Sequence, residues 1–142
     1  MAVWGTLDRL AVLGSPRAEF TIDGLPVEAF NHTGLIIPEL PGNAMSHMLL
    51  YQSPILAKGP HTISIAIPAT GQAPFYFDFF TVDVGSDMAI GNIIVDDSDS
   101  SIMYNGDWYS SGAQYEYMHT THGMPSMGSG DATFSFFGEP LW

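Results

Sequence analysis

Along most of the chain, apolar and polar residues alternate with a period of two, the repeat of a strand that buries one face. In "HTISIAI", His61, Ile63, Ile65 and Ile67 share one side, and Thr62, Ser64 and Ala66 the other. "FTIDGLPVEAF" reads as a strand, a turn at Asp23-Gly24 and a second short strand. "FYFDFFTVDV" and "ATFSFF" are rich in the aromatic and β-branched residues that suit a pleated surface. "MAVWGTL", "NIIVDD" and "QYEYMHTTH" add further predicted strands between Gly and Ser clusters. "NAMSHMLLYQS" (43–53) fits a weak helix or an extended segment equally well, and "GMPSMGSG" (123–130) reads as a flexible loop. About eight short strands with frequent turns predict an all-β fold, an antiparallel β-sandwich or jelly roll.

Composition agrees. A chain of 142 residues, 46% hydrophobic and 13% aromatic, is the size of one domain with a real core. Fifteen glycines and ten prolines match a turn-rich β protein. No apolar run reaches the ~18 residues a membrane helix needs. "MAVWGTLDRLAVLG" lacks the basic and apolar regions of a signal peptide, although a mature form or an excised domain would show none.

Charge narrows the functions. Fifteen acids stand against Arg9, Arg17 and Lys58, giving a net charge of −12, and no lysine or arginine follows Lys58. Nucleic acids and anionic membranes are bound through such cations, so neither is an expected partner. Neutral ligands, divalent cations and basic partners stay open. With no cysteine there is no disulfide, thiolate metal site or cysteine nucleophile. Asn31-His32-Thr33 is a glycosylation sequon, which places Asn31 as a candidate acceptor in a secreted protein.

Three groups of residues carry candidate chemistry. Asp78, Asp83, Asp87, Asp96, Asp97 and Asp99 lie close in sequence without a basic neighbour, and carboxylate oxygens suit calcium. The run lacks the glycine and closing glutamate of an EF-hand, and a solvated turn at 96–99 is the plainer reading. Asp78 stands out because "FYFDFF" surrounds it with large apolar residues, and a buried carboxylate requires a partner. "YNGDWY" (104–109) combines aromatic rings with short polar side chains, the two kinds of group a sugar needs. Asn105, Asp107, Trp108 and Tyr109 are its candidate ligand-binding residues, with packing the better reading for Trp108 and exposure for the other three. His119 and His122 fall on opposite faces of a strand, which argues against a zinc pair. No nucleophile elbow, H-E-x-x-H or phosphate-binding glycine loop is present, so an enzyme is not expected.

Several phrases together resemble a known family. "VDDSDSSIMYNGDW", "EYMHTTH" and "ATFSFFG" are similar to the first half of a galactose-binding-like jelly roll common in secreted and surface proteins of mushroom-forming fungi. "FTIDG", "LLYQSPILAKGPHTISI" and "FYFDFFTVD" are similar to its second half, yet they come first in this chain. The expected organisation is one sandwich domain over 1–142. Residues 1–84 correspond to the family's second half, 85–92 ("GSDMAIGN") form a connector, and 93–142 correspond to its first half. Such an order arises by circular permutation, or when each half completes a neighbouring subunit. In related calcium-bearing carbohydrate modules, acids of the first and last strands share one structural ion, which assigns Asp78, Asp96 and Asp97 to that role. The resemblance implies a non-catalytic, extracellular or cell-surface, lectin-like domain that binds glycans or glycoproteins, with calcium as a structural cofactor. The alternative is a structural subunit of a surface filament, a homo-oligomer or homopolymer built by exchanged halves.

Overall fold

A computed structural model describes residues 1–7, 18–26, 45–70, 73–86 and 89–138. Within them are eleven strands: β1 (Ala2–Leu7), β2 (Glu19–Ile22), β3 (Leu25–Pro26), β4 (Met45–Gln52), β5 (Gly59–Ile67), β6 (Phe75–Ser86), β7 (Ala89–Asp96), β8 (Ile102–Gly106), β9 (Tyr109–Ser111), β10 (Thr121–Met124) and β11 (Gly130–Gly138). Every pairing is antiparallel. One sheet runs β4-β1-β6-β10-β9, with β7 also paired to β6, and the other runs β3-β2-β5-β11-β8. The protein is an all-β sandwich.

The alternation read in the sequence is what the packing uses. Ile63, Ile65 and Ile67 of β5 point inward, facing Phe77, Phe80 and Val82 of β6 across the core. Phe80 stacks between the sheets on Phe134 at 5.2 Å, and Phe20 stacks on Tyr51 at 5.0 Å. Each such ring, once buried, contributes roughly 1.5–3 kcal/mol. The turn at Asp23-Gly24 has φ of 54° and 73°, the left-handed pair that fits the twist of a two-residue hairpin. The ambiguous segment 43–53 resolves in favour of strand: Met45–Gln52 pairs with β1.

Two expectations change. The strand predicted over "QYEYMHTTH" begins only at Thr121. Before it, Met118 and His119 take φ of 51° and 63° in a short 3-10 turn, a backbone no strand allows. "GMPSMGSG" is a loop only in its middle, since Gly123 and Met124 belong to β10 and Gly130 opens β11.

The two halves of the chain interleave. β11 returns to β5 through nine paired positions, Gly130↔Ile67 to Gly138↔Gly59. β10 joins β6 at Phe75–Phe77. Most of the segment read as a connector is itself paired: Gly85 with Ile90 and Ser86 with Ala89 extend a β6–β7 hairpin.

Candidate functional site

The site grows from a defect in β6. Trp4 of β1 pairs with Phe79, but the next residue, Gly5, pairs with Phe77. On the other edge β7 ends with Asp96 opposite Phe79, and the pairing of β10 with β6 begins at His122 opposite Phe77. Asp78 is the residue skipped on both sides. It is a β-bulge, and bulges re-aim side chains. Here Phe77 and Phe80 both reach the core, while Asp78 turns to the outer face of the sheet.

That outer position is roofed by the 113–120 segment. Glu116, itself buried, fastens it down. One carboxylate oxygen accepts from Thr6 Oγ1 at 3.0 Å. The other accepts from the Ala113 amide at 2.6 Å and from Thr121 Oγ1 at 3.2 Å. Asp78 is 0% exposed, and its Oδ1 accepts from the Tyr117 amide at 3.1 Å. His47 Nε2 lies 3.5 Å from its Oδ2. Burial pushes the Asp78 carboxyl up to about 7, opposed by the Tyr117 amide and reinforced by Glu116, Asp97 and Asp96.

Asp97, 1% exposed, lies one strand away. Its carboxylate accepts from Thr120 Oγ1 at 2.7 Å and meets His122 Nδ1 at 2.6 Å. Its carbonyl takes the Tyr104 hydroxyl at 2.7 Å, and Tyr104 stacks flat on His122 with ring centres 3.9 Å apart. Burial raises the Asp97 carboxyl too, against the pull of Thr120 and His122. Asp96 shares Thr120 Oγ1 at 3.2 Å and also accepts from the Ser98 hydroxyl. The plain reading of 96–99 as a solvated turn holds for Asp99, which is exposed and whose carboxylate accepts from Ser101, but not for Asp97. His119 and His122 go to separate partners, Gln114 O and Asp97.

Asp78, Asp96 and Asp97 are therefore gathered at one bulge, with Glu116 as a fourth acid. The carboxylate and hydroxyl oxygens of this cluster suit a hard cation, while His122 Nδ1 and His47 Nε2 already face Asp97 and Asp78. Among the described residues, no three His, Asp or Glu side chains are arranged to enclose a metal ion as they stand.

The second predicted group is divided. Asn105 and Asp107 are exposed at the end of β8: Asn105 Nδ2 donates to Asp131 Oδ1 at 3.2 Å, and Asp107 Oδ2 accepts from the Ser129 amide at 3.0 Å. Trp108 is half-buried against Phe75 and Tyr104, with Nε1 donating to the Asp131 carbonyl at 3.0 Å. Tyr109, 39% exposed, lies on the other sheet, its hydroxyl 3.3 Å from that of Tyr76. Asn31 and Asp87 lie outside the described residues.

The chain matches no family model, no curated protein and no solved structure.

Chemistry at the site thus rests on geometry alone. Glu116, Thr120 and His47 are site residues that sequence reasoning missed, and His122, weighed there only as a zinc ligand, belongs to the site through Asp97. Their links to Asp78 or Asp97 join segments 20 or more positions apart, and no local pattern marks them.

Proposed function

We propose that this protein is a non-catalytic, lectin-like domain that binds carbohydrate outside the cell, with a jelly-roll fold of the galactose-binding-like kind. The observation that carries this reading is the edge formed by β8 and β9. Asn105, Asp107 and Tyr109 are exposed there, while Trp108 plugs the edge from within and holds its shape. Exposed short polar groups and an exposed aromatic ring are the two kinds of group that meet the hydroxyls and C–H faces of a sugar. No helix among the described residues is long and apolar enough to cross a membrane.

Calcium belongs to the same proposal as a structural ion held by Asp78, Asp96 and Asp97. When bound, it would add positive charge beside buried Asp78 and Asp97 and half-buried Asp96. The permuted order of the halves has support as well. Met1 and Gly138 line one cleft, so the described residues nearest the proposed junction approach each other.

A glycan array, probed with and without chelator, tests the carbohydrate reading; silence under both conditions would refute it.

The alternative is the exchanged-half filament, in which the β5–β11 pairing that joins the two halves would form between neighbouring chains instead of within one. Size-exclusion chromatography with negative-stain microscopy separates the two, since a closed domain runs as a monomer and exchange yields polymers.

A further inference from the structure

Across the outer face of the β4-β1-β6-β10-β9 sheet runs one row of paired positions: Thr6↔Tyr76, Tyr76↔Gly123 and Gly123↔Tyr109. The facing of β10 sets this row outward. His122 stacks on Tyr104 of the opposite sheet and Met124 is buried in the core, so Gly123 between them faces away. Two tyrosines thus flank a glycine on three adjacent strands. A Cβ at Gly123 would lie 2.5 Å from Tyr109 Cζ and 2.7 Å from its hydroxyl. The Tyr109 ring therefore leans over the glycine, in space any other residue would fill, and its hydroxyl reaches Tyr76 at 3.3 Å. One end of the row is walled by the 113–120 segment, fixed to Thr6 and Thr121 through Glu116 and presenting exposed Tyr115. Beyond Thr121, its partner Ser111 is exposed on the same face.

We propose that Tyr76, Gly123 and Tyr109 form the seat for one neutral pyranose ring, on the sheet face to which the β8–β9 edge contributes Tyr109. This rests on the carbohydrate-binding reading and names its site. The ring C–H face lies against the tyrosines, and the hydroxyls meet the two phenols and Ser111. Charge decides the class of sugar. The wall carries Glu116, and no lysine or arginine occurs after Lys58, so uronic acids and sulfated or phosphorylated sugars are repelled.

The test is titration of the isotope-labelled chain with cellotriose, laminaritriose, chitotriose and trigalacturonate, followed by amide NMR. Perturbations are expected for a neutral trisaccharide, centred on Gly123 and Ser111, with none for trigalacturonate. Tyr109→Ala should weaken binding at least about tenfold, and Met103→Ala, on the other sheet, should not. Tyr109→Phe and Tyr76→Phe, which keep the rings, cover the case in which the alanine variant unfolds, and each should weaken binding severalfold. Perturbations centred on Asn105 and Asp107, or full binding by the tyrosine variants, overturn the site while leaving carbohydrate binding intact. Failure of every neutral sugar here, with a silent glycan array, overturns both.

Discussion

The amide of Asp97 donates a 2.9 Å hydrogen bond to the carbonyl of Asp78, joining the end of β7 to the one residue of β6 that both neighbouring edges skip. Two fully buried carboxylates are thereby held on adjacent backbone, with Glu116 and Asp96 close enough to raise the affinity of Asp78 for a proton. A protein with so few cations has put its most acidic junction where β6, β7 and β10 meet.

The first consequence concerns pH. The Asp78 carboxyl titrates near 3.8 when exposed and at about 7 in the fold. The folded state therefore binds this proton more tightly. Its contribution is fully present below about pH 4 and is lost as pH rises through about 7. In metal-free buffer Asp78→Asn should raise the melting temperature at pH 8, with a gain on the order of a few kcal/mol. The gain should shrink toward pH 4. Thermal melts of both proteins across this range check it, and an equal loss at every pH would contradict it.

Calcium reverses that comparison. A ligand bound only by the folded state stabilises it by about 2.7 kcal/mol at a concentration of 100 times its Kd. Calcium should raise the melting temperature of the parent chain, and chelator should return it. Asp78→Asn and Asp97→Asn should blunt the response. Calorimetric scans with and without the ion decide, and a parent chain indifferent to both would remove calcium from the proposal.

His61 predicts a second pH effect of opposite origin. Its Nε2 lies 2.7 Å from the Ala57 carbonyl and its Nδ1 2.8 Å from Asp23 Oδ2, so both nitrogens face acceptors and the doubly protonated ring suits the site. The Ala57 carbonyl and then Asp23 raise the His61 pKa, and His61 lowers that of Asp23. The histidine's contribution is present below about pH 6.5 and lost as pH rises through its folded pKa, whereas that of Asp23 is lost on acidification below about 4. His61→Gln should therefore cost stability at pH 5 and little at pH 8. Melting curves at those two pH values suffice to check it.

Tyr51 offers a test of packing. Its hydroxyl is buried without a hydrogen-bond partner among the described residues, while its ring stacks on Phe20. An unsatisfied buried hydroxyl costs about 1–3 kcal/mol. Tyr51→Phe should keep the stack, remove that cost and leave the denaturation midpoint unchanged or higher. A clear drop would mean that the hydroxyl is bonded in solution.

What the sequence determined by itself is the fold class and the elements that carry it. The alternation at His61–Ile67 depends on a repeat of two residues, a property of the local chain, and the hairpin at Asp23-Gly24 on the residues that tolerate positive φ. Asp78 was also legible as an acid that had to be accommodated, because its neighbours in "FYFDFF" leave it no polar surroundings of their own. Tertiary structure alone decided the rest. A bulge is a mismatch between strands, so which way Asp78 turns depends on β1, β7 and β10 together. Asp97 and its exposed neighbour Asp99 look alike in "DDSD", and only Thr120 and His122 distinguish the buried one. The "QYEYMHTTH" strand gave way to a turn because Glu116 gains Thr6, Ala113 and Thr121 as partners when the chain folds back over the sheet. Gly123, ordinary within its own strand, acquires meaning from the Tyr109 ring laid across it. Local periodicity specifies which residues face inward; only the meeting of distant strands specifies which polar groups are buried together.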